Sequence, residues 1–230
     1  MNSLVDVHIF RRPDSMIRSE DKPLYNSWTE TCILSISSNI INIHNLEGKF
    51  TSDFLTLRKQ GFEYGTSKYV SFVNDDDYVI GDPFTECVLE LEQNPTLCGV
   101  YTNSFILDQH SNTKVPFFQH KEWTREFHLN TARPVHELVV IRRDVLFEAY
   151  KKIEQFLTLL EPVEVTYLTT DGEQTIYSAV ASFGDWKFLP KEFGFVWRRH
   201  NQGRHVDAYS SRRQISPNRK TELHQLLLRL

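Results

Sequence analysis

Residues 58–77 read RKQGFEYGTSKYVSFVNDDD and are the most informative stretch of the chain. The run at residues 69–73 is rich in β-branched and aromatic side chains, which is typical of a buried strand. It leads directly into Asn74 and the three consecutive aspartates at 75–77. Neighbouring carboxylates repel one another, and a hard cation such as Mg²⁺ or Mn²⁺ relieves that repulsion through oxygen ligands. A solvated acidic turn is the alternative interpretation of the aspartates alone.

The segments before this strand alternate between two patterns. Residues 4–10 and 39–44 have the apolar alternation of strands, whereas residues 25–37 and 51–61 have helical spacing. Such alternation is typical of an α/β fold with a mainly parallel sheet. Since ligands in these folds bind beyond the carboxyl ends of the strands, we expect the aspartates at a ligand-binding edge.

The second half of the sequence is more mixed. The predicted strands are residues 99–107 and 137–141, and a pair at 186–189 and 193–198 around Pro190. The predicted helices are residues 144–160 with Asp144 as the cap, residues 172–183, and a helix opened by Ser216-Pro217 with Leu223, Leu226, Leu227 and Leu230 on one side. No linker is evident, so we predict one domain, residues 1–205, followed by a basic and helical extension, residues 206–230.

Composition narrows the class of protein. The 230 residues are 40% hydrophobic and 13% aromatic, which is enough for a sizeable core. The formal net charge is −4, but residues 197–220 carry seven basic side chains and one acidic one. Three widely spaced cysteines predict no disulfide framework and a reducing compartment. With no membrane-spanning run and no signal peptide in the sequence, we expect a soluble protein of the cytoplasm, the host's if the protein is viral.

Residues 58–77 resemble a segment of the family-2 glycosyltransferases of the GT-A fold. Those enzymes share Arg-Asn-x-Gly-Ile, a small residue, and then Tyr-Ile-x-Phe-Leu-Asp-x-Asp-Asp, and the spacing here matches without a gap. The matching residues are Arg58, Gly61, Gly65, Tyr69, Phe72, Asp76 and Asp77. The resemblance implies a Rossmann-type, mixed and mainly parallel sheet flanked by helices. It also implies a donor half at about residues 1–110 and an acceptor half at about residues 111–205.

The resemblance assigns a divalent metal, Mn²⁺ or Mg²⁺, to the aspartate run. Asn74 stands where the family usually has the first aspartate of its Asp-x-Asp. The ligand role therefore passes mainly to Asp76, with Asp75 or Asp77 assisting and His200 as a third ligand. Asn74 and Asp75 are also expected beside the nucleotide sugar.

Further donor-binding residues follow from the same resemblance. The loops after the first two predicted strands enclose the nucleotide in these enzymes, and here they contain Arg11, Arg12, Asn45 and Glu47. Arg11 or Arg12 is expected to reach the diphosphate, and Arg58 is expected in the donor site. Arg198, Arg199 and Arg204 are suited to stabilising the charge of the leaving nucleoside diphosphate. Ordinary surface charge is the alternative for Arg11, Arg12 and Glu47.

The family also has an acidic motif, Glu-Asp-x-Asp-Leu-Tyr, at the start of a helix. Aligning Ile176-Tyr177 on its Leu-Tyr places Glu173 at the second acid, which takes the acceptor proton in inverting enzymes. Asp171 is the other candidate for this catalytic base. The alternative is that either acid only stabilises the helix N-terminus.

Together these features predict a metal-dependent glycosyltransferase, a hexosyl- or pentosyltransferase, with a nucleotide-diphosphate sugar as donor, preferably a UDP-sugar. Inversion at the anomeric carbon is expected. The basic C-terminal segment favours DNA as acceptor, through a hydroxymethylated base as in phage DNA. The alternatives are a soluble saccharide or protein acceptor, a nucleotidyltransferase, and a non-catalytic GT-A binding module. No sequence feature identifies a protein partner or a membrane partner.

Overall fold

The structure is a computed structural model that describes residues 3–11, 17, 19–36, 38–47, 53–117, 121–131, 134–200 and 215–230. Its strands are β1 (Val5–Arg11), β2 (Ile41–Glu47), β3 (Tyr69–Asn74), β4 (Tyr78–Ile80), β5 (Leu97–Asp108), β6 (Thr113–Pro116), β7 (Val139–Arg142) and β8 (Asp185–Arg199). Its helices are α1 (Lys22–Ser35), α2 (Phe54–Phe62), α3 (Pro83–Gln93), α4 (Arg125–Asn130), α5 (Arg143–Leu157), α6 (Pro162–Thr170), α7 (Gly172–Val180) and α8 (Pro217–Arg229).

The eight strands in the described part of the chain belong to one mixed sheet in the order β2-β1-β3-β7-β5-β8-β4, with β6 paired to β5. Strand β1 is parallel to β2 and β3, and β5 is parallel to β8. These parallel pairings contain most of the paired residues, so the predicted mixed, mainly parallel α/β fold is confirmed. The carboxyl ends of β1, β2 and β3 meet at one edge, where Arg11 pairs with Glu47 and Phe10 with Asn74.

Helices cover both faces of the sheet because side chains alternate along each strand. In β3, Val70 and Phe72 pack into the core beneath α2, α5, α7 and α8. Tyr69 and Val73 point to the opposite face and pack with side chains of α1 and α3. The apolar run that resembled a buried strand is therefore buried on both sides, as strands in parallel sheets are.

The strand pair predicted around Pro190 is wrong, because one continuous strand, β8, spans this region. Its register against β5 jumps from Leu189 opposite Thr102 to Gly194 opposite Asn103. Residues 190–193 have no partner in β5 and bulge out of the ladder, so Pro190 lies where no hydrogen bond to β5 is required of it. Gly194 has a φ of 152°, and an added Cβ would lie 1.9 Å from the Asn103 carbonyl oxygen. Only glycine fits there.

The helix predictions were correct in position and incomplete in number. Helices α3, α4 and α6 and strands β4 and β6 were not predicted. Helix α5 begins at Arg143, so Asp144 lies in its first turn and is not its cap. The buried residues of α8 are Leu223, His224, Leu227 and Leu228, whereas Leu226 and Leu230 are exposed.

The structure describes the three cysteines and the helices that were considered for membrane spanning. Cys32, Cys87 and Cys98 are buried and free, which agrees with the absence of a predicted disulfide framework. In the described segments, none of the helices has both the length and the apolar composition needed to cross a membrane.

Candidate active site at the carboxyl edge of the sheet

The three aspartates after β3 point in different directions. Asp75 is buried and accepts a hydrogen bond from the Tyr25 hydroxyl of α1 at 2.7 Å. The Asp76 carboxylate faces His200, with 3.0 Å between Oδ2 and Nε2. Asp77 turns inward and accepts the backbone N–H of Arg198 at 2.7 Å. The turn is thus fixed to α1 on one side and to β8 on the other, and Asp76 is its most exposed carboxylate.

Asn74 links the aspartate run to the helical side of the site. Its Nδ2 donates to Asp77 Oδ2 at 3.0 Å, and its Oδ1 accepts from Arg58 Nη2 at 2.9 Å. Burial and then the nearby Asp76 charge raise the pKa of Asp77 well above its usual range, and the hydrogen bonds from Arg198 and Asn74 oppose that shift. An aspartate at position 74 could accept from Arg58 but could not donate to Asp77.

Arg58 is a buried cation whose partners come from three elements. Its guanidinium lies over the rings of Phe10 and Phe72, at 4.4 and 4.1 Å from their centroids. The same Nη2 that reaches Asn74 also reaches Glu173 Oε1 at 2.5 Å. Its Nε and Nη1 have no hydrogen-bond partner among the residues that the structure describes, so the aromatic faces are their main favourable contact.

Glu173 lies in the first turn of α7, as the sequence predicted, with its side chain 30% exposed. Beside it is Glu137, which precedes β7 and was not predicted as a site residue. Tyr177 donates to Glu137 Oε1 at 3.3 Å, and the Glu173 carboxyl lies close enough to act on the titration of Glu137. Burial and the neighbouring Glu173 raise the pKa of Glu137 well above its usual range. A single glutamate before a strand carries no motif, so the sequence offered no signal for it.

Asp171, the other candidate base, occupies a different environment. It is buried at the junction of α6 and α7 and accepts from the Tyr167 hydroxyl at 3.2 Å. Tyr167 in turn contacts His224 of α8. Asp171 therefore has a structural partner and little solvent contact, whereas Glu173 is accessible from the sheet edge.

The basic residues of β8 have unequal roles. Arg198 donates from Nε to the Asp76 backbone oxygen at 2.8 Å and from Nη1 to Gln109 at 2.9 Å. Its guanidinium also lies 5.1 Å from the Trp28 ring centroid, and burial lowers its pKa. Arg199 is exposed beside Trp197. Arg198 therefore stabilises the aspartate turn through its backbone and side-chain hydrogen bonds.

The remaining predicted donor-binding residues lie along the same edge or outside the described segments. Arg11 ends β1 and donates to Asn26 of α1 at 3.4 Å. Asn45 is exposed on β2, and the backbone of Glu47 pairs with Arg11. Arg12 and Arg204 fall outside the described residues.

The predicted metal ligands are only partly brought together. Asp76 and His200 face one another, and His200 is held by a 4.6 Å ring contact with Trp28. Their carboxylate oxygen and imidazole nitrogen suit Mn²⁺ or a similar ion. Asp77 is directed away, toward Arg198 and Asn74. In the described segments, no group of three or more potential ligands is arranged for a metal, so the site offers a pair of donor groups.

The sheet order, the helices on both faces and the acidic turn after β3 define a GT-A-like fold. Among solved structures, the chain is similar to S. aureus TarS 1-349 in complex with UDP, with a TM-score of 0.58, 12% identity, and coverage of 99% of this chain and 71% of that one. For S. aureus TarS 1-349 in complex with UDP-GlcNAc, the TM-score is 0.54 at 12% identity, with coverage of 99% and 72%. No protein-family model matches the sequence, and no curated protein matches it significantly.

Proposed function

We propose that this protein is a glycosyltransferase that uses a nucleoside-diphosphate sugar, preferably a UDP-sugar, as donor. The proposal rests on a continuous chain of side-chain hydrogen bonds that runs from Asp77 through Asn74 and Arg58 to Glu173. It joins the acidic turn after β3 to a partly exposed carboxylate on α7, which is the pairing of donor site and base that the reaction needs. Similarity to structures with bound UDP and UDP-GlcNAc supports the choice of nucleotide.

A divalent metal is part of the proposal. Asp76 and His200 would hold it, with Asp75 and Asp77 fixing the turn through Tyr25 and Arg198. When bound, the ion supplies positive charge opposite the donor diphosphate, where negative charge accumulates.

The proton that the acceptor hydroxyl loses in the reaction is taken up by a residue of the protein. Glu173 accepts the proton of the acceptor hydroxyl while that oxygen forms a bond to the anomeric carbon. The bond from the anomeric carbon to the phosphate oxygen breaks, and the nucleoside diphosphate leaves with the electron pair. Direct displacement of this kind inverts the anomeric configuration. Arg58 keeps Glu173 ionised and in place, since a cation at 2.5 Å favours the carboxylate.

For the acceptor, we propose a hydroxymethylated base in DNA, on the strength of the basic C-terminal segment. Arg219 pairs with Glu164 at 2.7 Å and Glu222 at 2.9 Å, and Lys220 lies over the Tyr167 ring. These two basic residues therefore stabilise α8, whereas the segment's other basic residues beyond β8, Arg204, Arg212 and Arg213, fall outside the described residues. A duplex DNA acceptor predicts that binding weakens steeply as salt rises, whereas a saccharide or protein acceptor predicts no such slope.

Hydrolysis of UDP-sugars in the presence of Mn²⁺ tests the proposed activity. We expect slow release of UDP by the wild-type protein and a loss of about 100-fold or more in Glu173→Gln, which removes the base. Asp144→Ala, an exposed carboxylate on α5, is the matched control and should leave the rate unchanged. Release of pyrophosphate from nucleoside triphosphates would instead indicate a nucleotidyltransferase. Binding of UDP without any turnover would indicate a binding module.

A further inference from the structure

We propose that Glu137 is a positioning residue that carries a proton and donates it in a hydrogen bond to Glu173. Glu173 thereby stays ionised and directed toward the acceptor. This inference rests on the proposed function, because it gives the carboxylate pair a role in the same reaction. It concerns a residue that no feature of the sequence singled out.

The contacts of the two carboxyl groups indicate which of them carries the proton. Glu173 Oε1 lies 2.5 Å from Arg58 Nη2, so its partner is a permanent cation. Glu137 has the Tyr177 hydroxyl at 3.3 Å and the Glu173 carboxyl as its side-chain partners. Two carboxyl groups at close range repel one another when both are ionised and attract one another when one of them carries a proton. The carboxylate beside the arginine is the better anion, which leaves the proton on Glu137.

The surroundings of Glu137 favour its neutral form. Among the residues that the structure describes, the charged or titratable groups that act on it are Glu173 and Tyr177 from α7, Arg58 from α2 and Asp77 after β3. Two of these are acidic, and Arg58 is already engaged by Glu173. Burial together with the Glu173 charge raises the pKa of Glu137 well above its usual range. The geometry and the electrostatics therefore agree on where the proton resides.

The pair has a consequence for catalysis. A protonated Glu137 donates a hydrogen bond to Glu173, which fixes the carboxylate orientation and stabilises its charge. If Glu137 loses its proton at alkaline pH, the hydrogen bond is replaced by repulsion between two carboxylates. Glu173 is then displaced from the acceptor, and turnover falls although Glu173 itself is ionised.

Glu137→Gln distinguishes this role from a purely structural one, because the amide keeps a donor toward Glu173 and an acceptor toward Tyr177. In UDP-sugar turnover, we expect Glu137→Gln to retain activity within about threefold at neutral pH, and to lose the alkaline decline that the wild type shows. Glu173→Gln should lose about 100-fold or more at every pH. A loss in Glu137→Gln as large as that in Glu173→Gln, or an alkaline decline that persists in Glu137→Gln, overturns the proposal.

A second measurement keeps the pair testable if no UDP-sugar is turned over. Because the folded-state pKa of Glu137 is raised, the wild type loses stability as pH rises from about 4.3, the ordinary glutamate value, through the raised pKa. Glu137→Gln has no titrating group at this position and does not lose this stability. Its free energy of unfolding relative to wild type should therefore increase with pH in urea titrations. That increase without turnover would overturn the proposed function and support the pair. A constant difference across pH would overturn the pair itself.

Discussion

At Asn74, an amide stands between a buried guanidinium and a buried carboxylate, and both ends of the amide are used. Its oxygen accepts from Arg58 and its nitrogen donates to Asp77. The GT-A families that the sequence resembles usually have an aspartate here. The asparagine therefore removes one negative charge from the turn and supplies a hydrogen-bond donor to Asp77.

Asn74→Asp is expected to lower the free energy of unfolding by about 1–3 kcal/mol at pH 8, because Asp77 loses a donor and gains a neighbouring carboxylate. The loss should be smaller at pH 5, where the two carboxylates can share a proton. Urea unfolding at both pH values measures the effect, with the exposed Asn112→Asp as the matched control. Equal stability of Asn74→Asp and wild type at pH 8 would contradict the role given to this amide.

Arg58 is the second residue whose replacement should be costly. Arg58→Met keeps much of the apolar stem but leaves Glu173 and Asn74 without their cation. We expect a loss of about 2–4 kcal/mol in the free energy of unfolding, because removing one partner of a largely buried ion pair leaves the other charge uncompensated. Thermal and urea unfolding measure it, and Lys59→Met, on the exposed side of the same helix, should cost less than about 1 kcal/mol.

Helices α2 and α7 meet closely at their amino-terminal ends, and this contact sets the distance between Arg58 and Glu173. A Cβ at Gly172 would lie 2.5 Å from the backbone nitrogen of Leu55. Gly172 therefore lets the two helices approach, and the approach brings the Glu173 carboxylate to the guanidinium. The sequence indicated a helix start at Gly172 but not the partner that requires a glycine there.

Gly172→Ala should push these helix ends apart. We expect a loss of about 1–3 kcal/mol in stability, as for other overpacked contacts, and a fall in turnover larger than the stability loss explains. Unfolding and UDP-sugar hydrolysis measured on the same preparation test both parts. Thr166→Ala on the exposed side of α6 is the control. Unchanged turnover would show that the spacing of α2 and α7 does not position Glu173.

A directional chain of buried hydrogen bonds joins four helices behind the site. Trp123 donates to His128 Nδ1, the other nitrogen of His128 meets Ser178, and Ser178 meets His224 Nδ1. His224 then meets Tyr167, which donates to Asp171. The chain starts at an indole, which can only donate, and ends at a carboxylate. Because the indole donates to Nδ1, the His128 ring is neutral in this chain, and Asp171 is already engaged by the Tyr167 hydroxyl.

This chain makes the folded protein sensitive to acid. Burial lowers the pKa of His128 from its ordinary 6.5 to about 3. The unfolded chain binds a proton near pH 6.5 and the folded chain does not, so stability is full above that value and is lost as pH falls. The expected contribution is about 2 kcal/mol between pH 7 and pH 5. His128→Gln should flatten this dependence in urea titrations, while the exposed His110→Gln should not.

The parts of the fold that the sequence predicted are those with local signals. The apolar run of β3 and the periodic face of α5 needed no tertiary information, and the resemblance located Arg58, Asp76 and Glu173 at one edge. Glu137 was missed because its place depends on β7, which runs antiparallel between β3 and β5. The single strand β8 was missed because its bulge opposite Thr102 is a tertiary accommodation of Pro190.

A thermal-shift comparison of nucleoside diphosphates with Mn²⁺, on wild type and Asp76→Ala, tests the donor site most directly. A ligand that binds only the folded state raises Tm with its concentration. We expect UDP with Mn²⁺ to stabilise the wild type, Asp76→Ala to lose that stabilisation, and the control Asp144→Ala to keep it. No stabilisation of the wild type by any nucleoside diphosphate, or an equal shift in Asp76→Ala, would contradict a donor site at the aspartate turn.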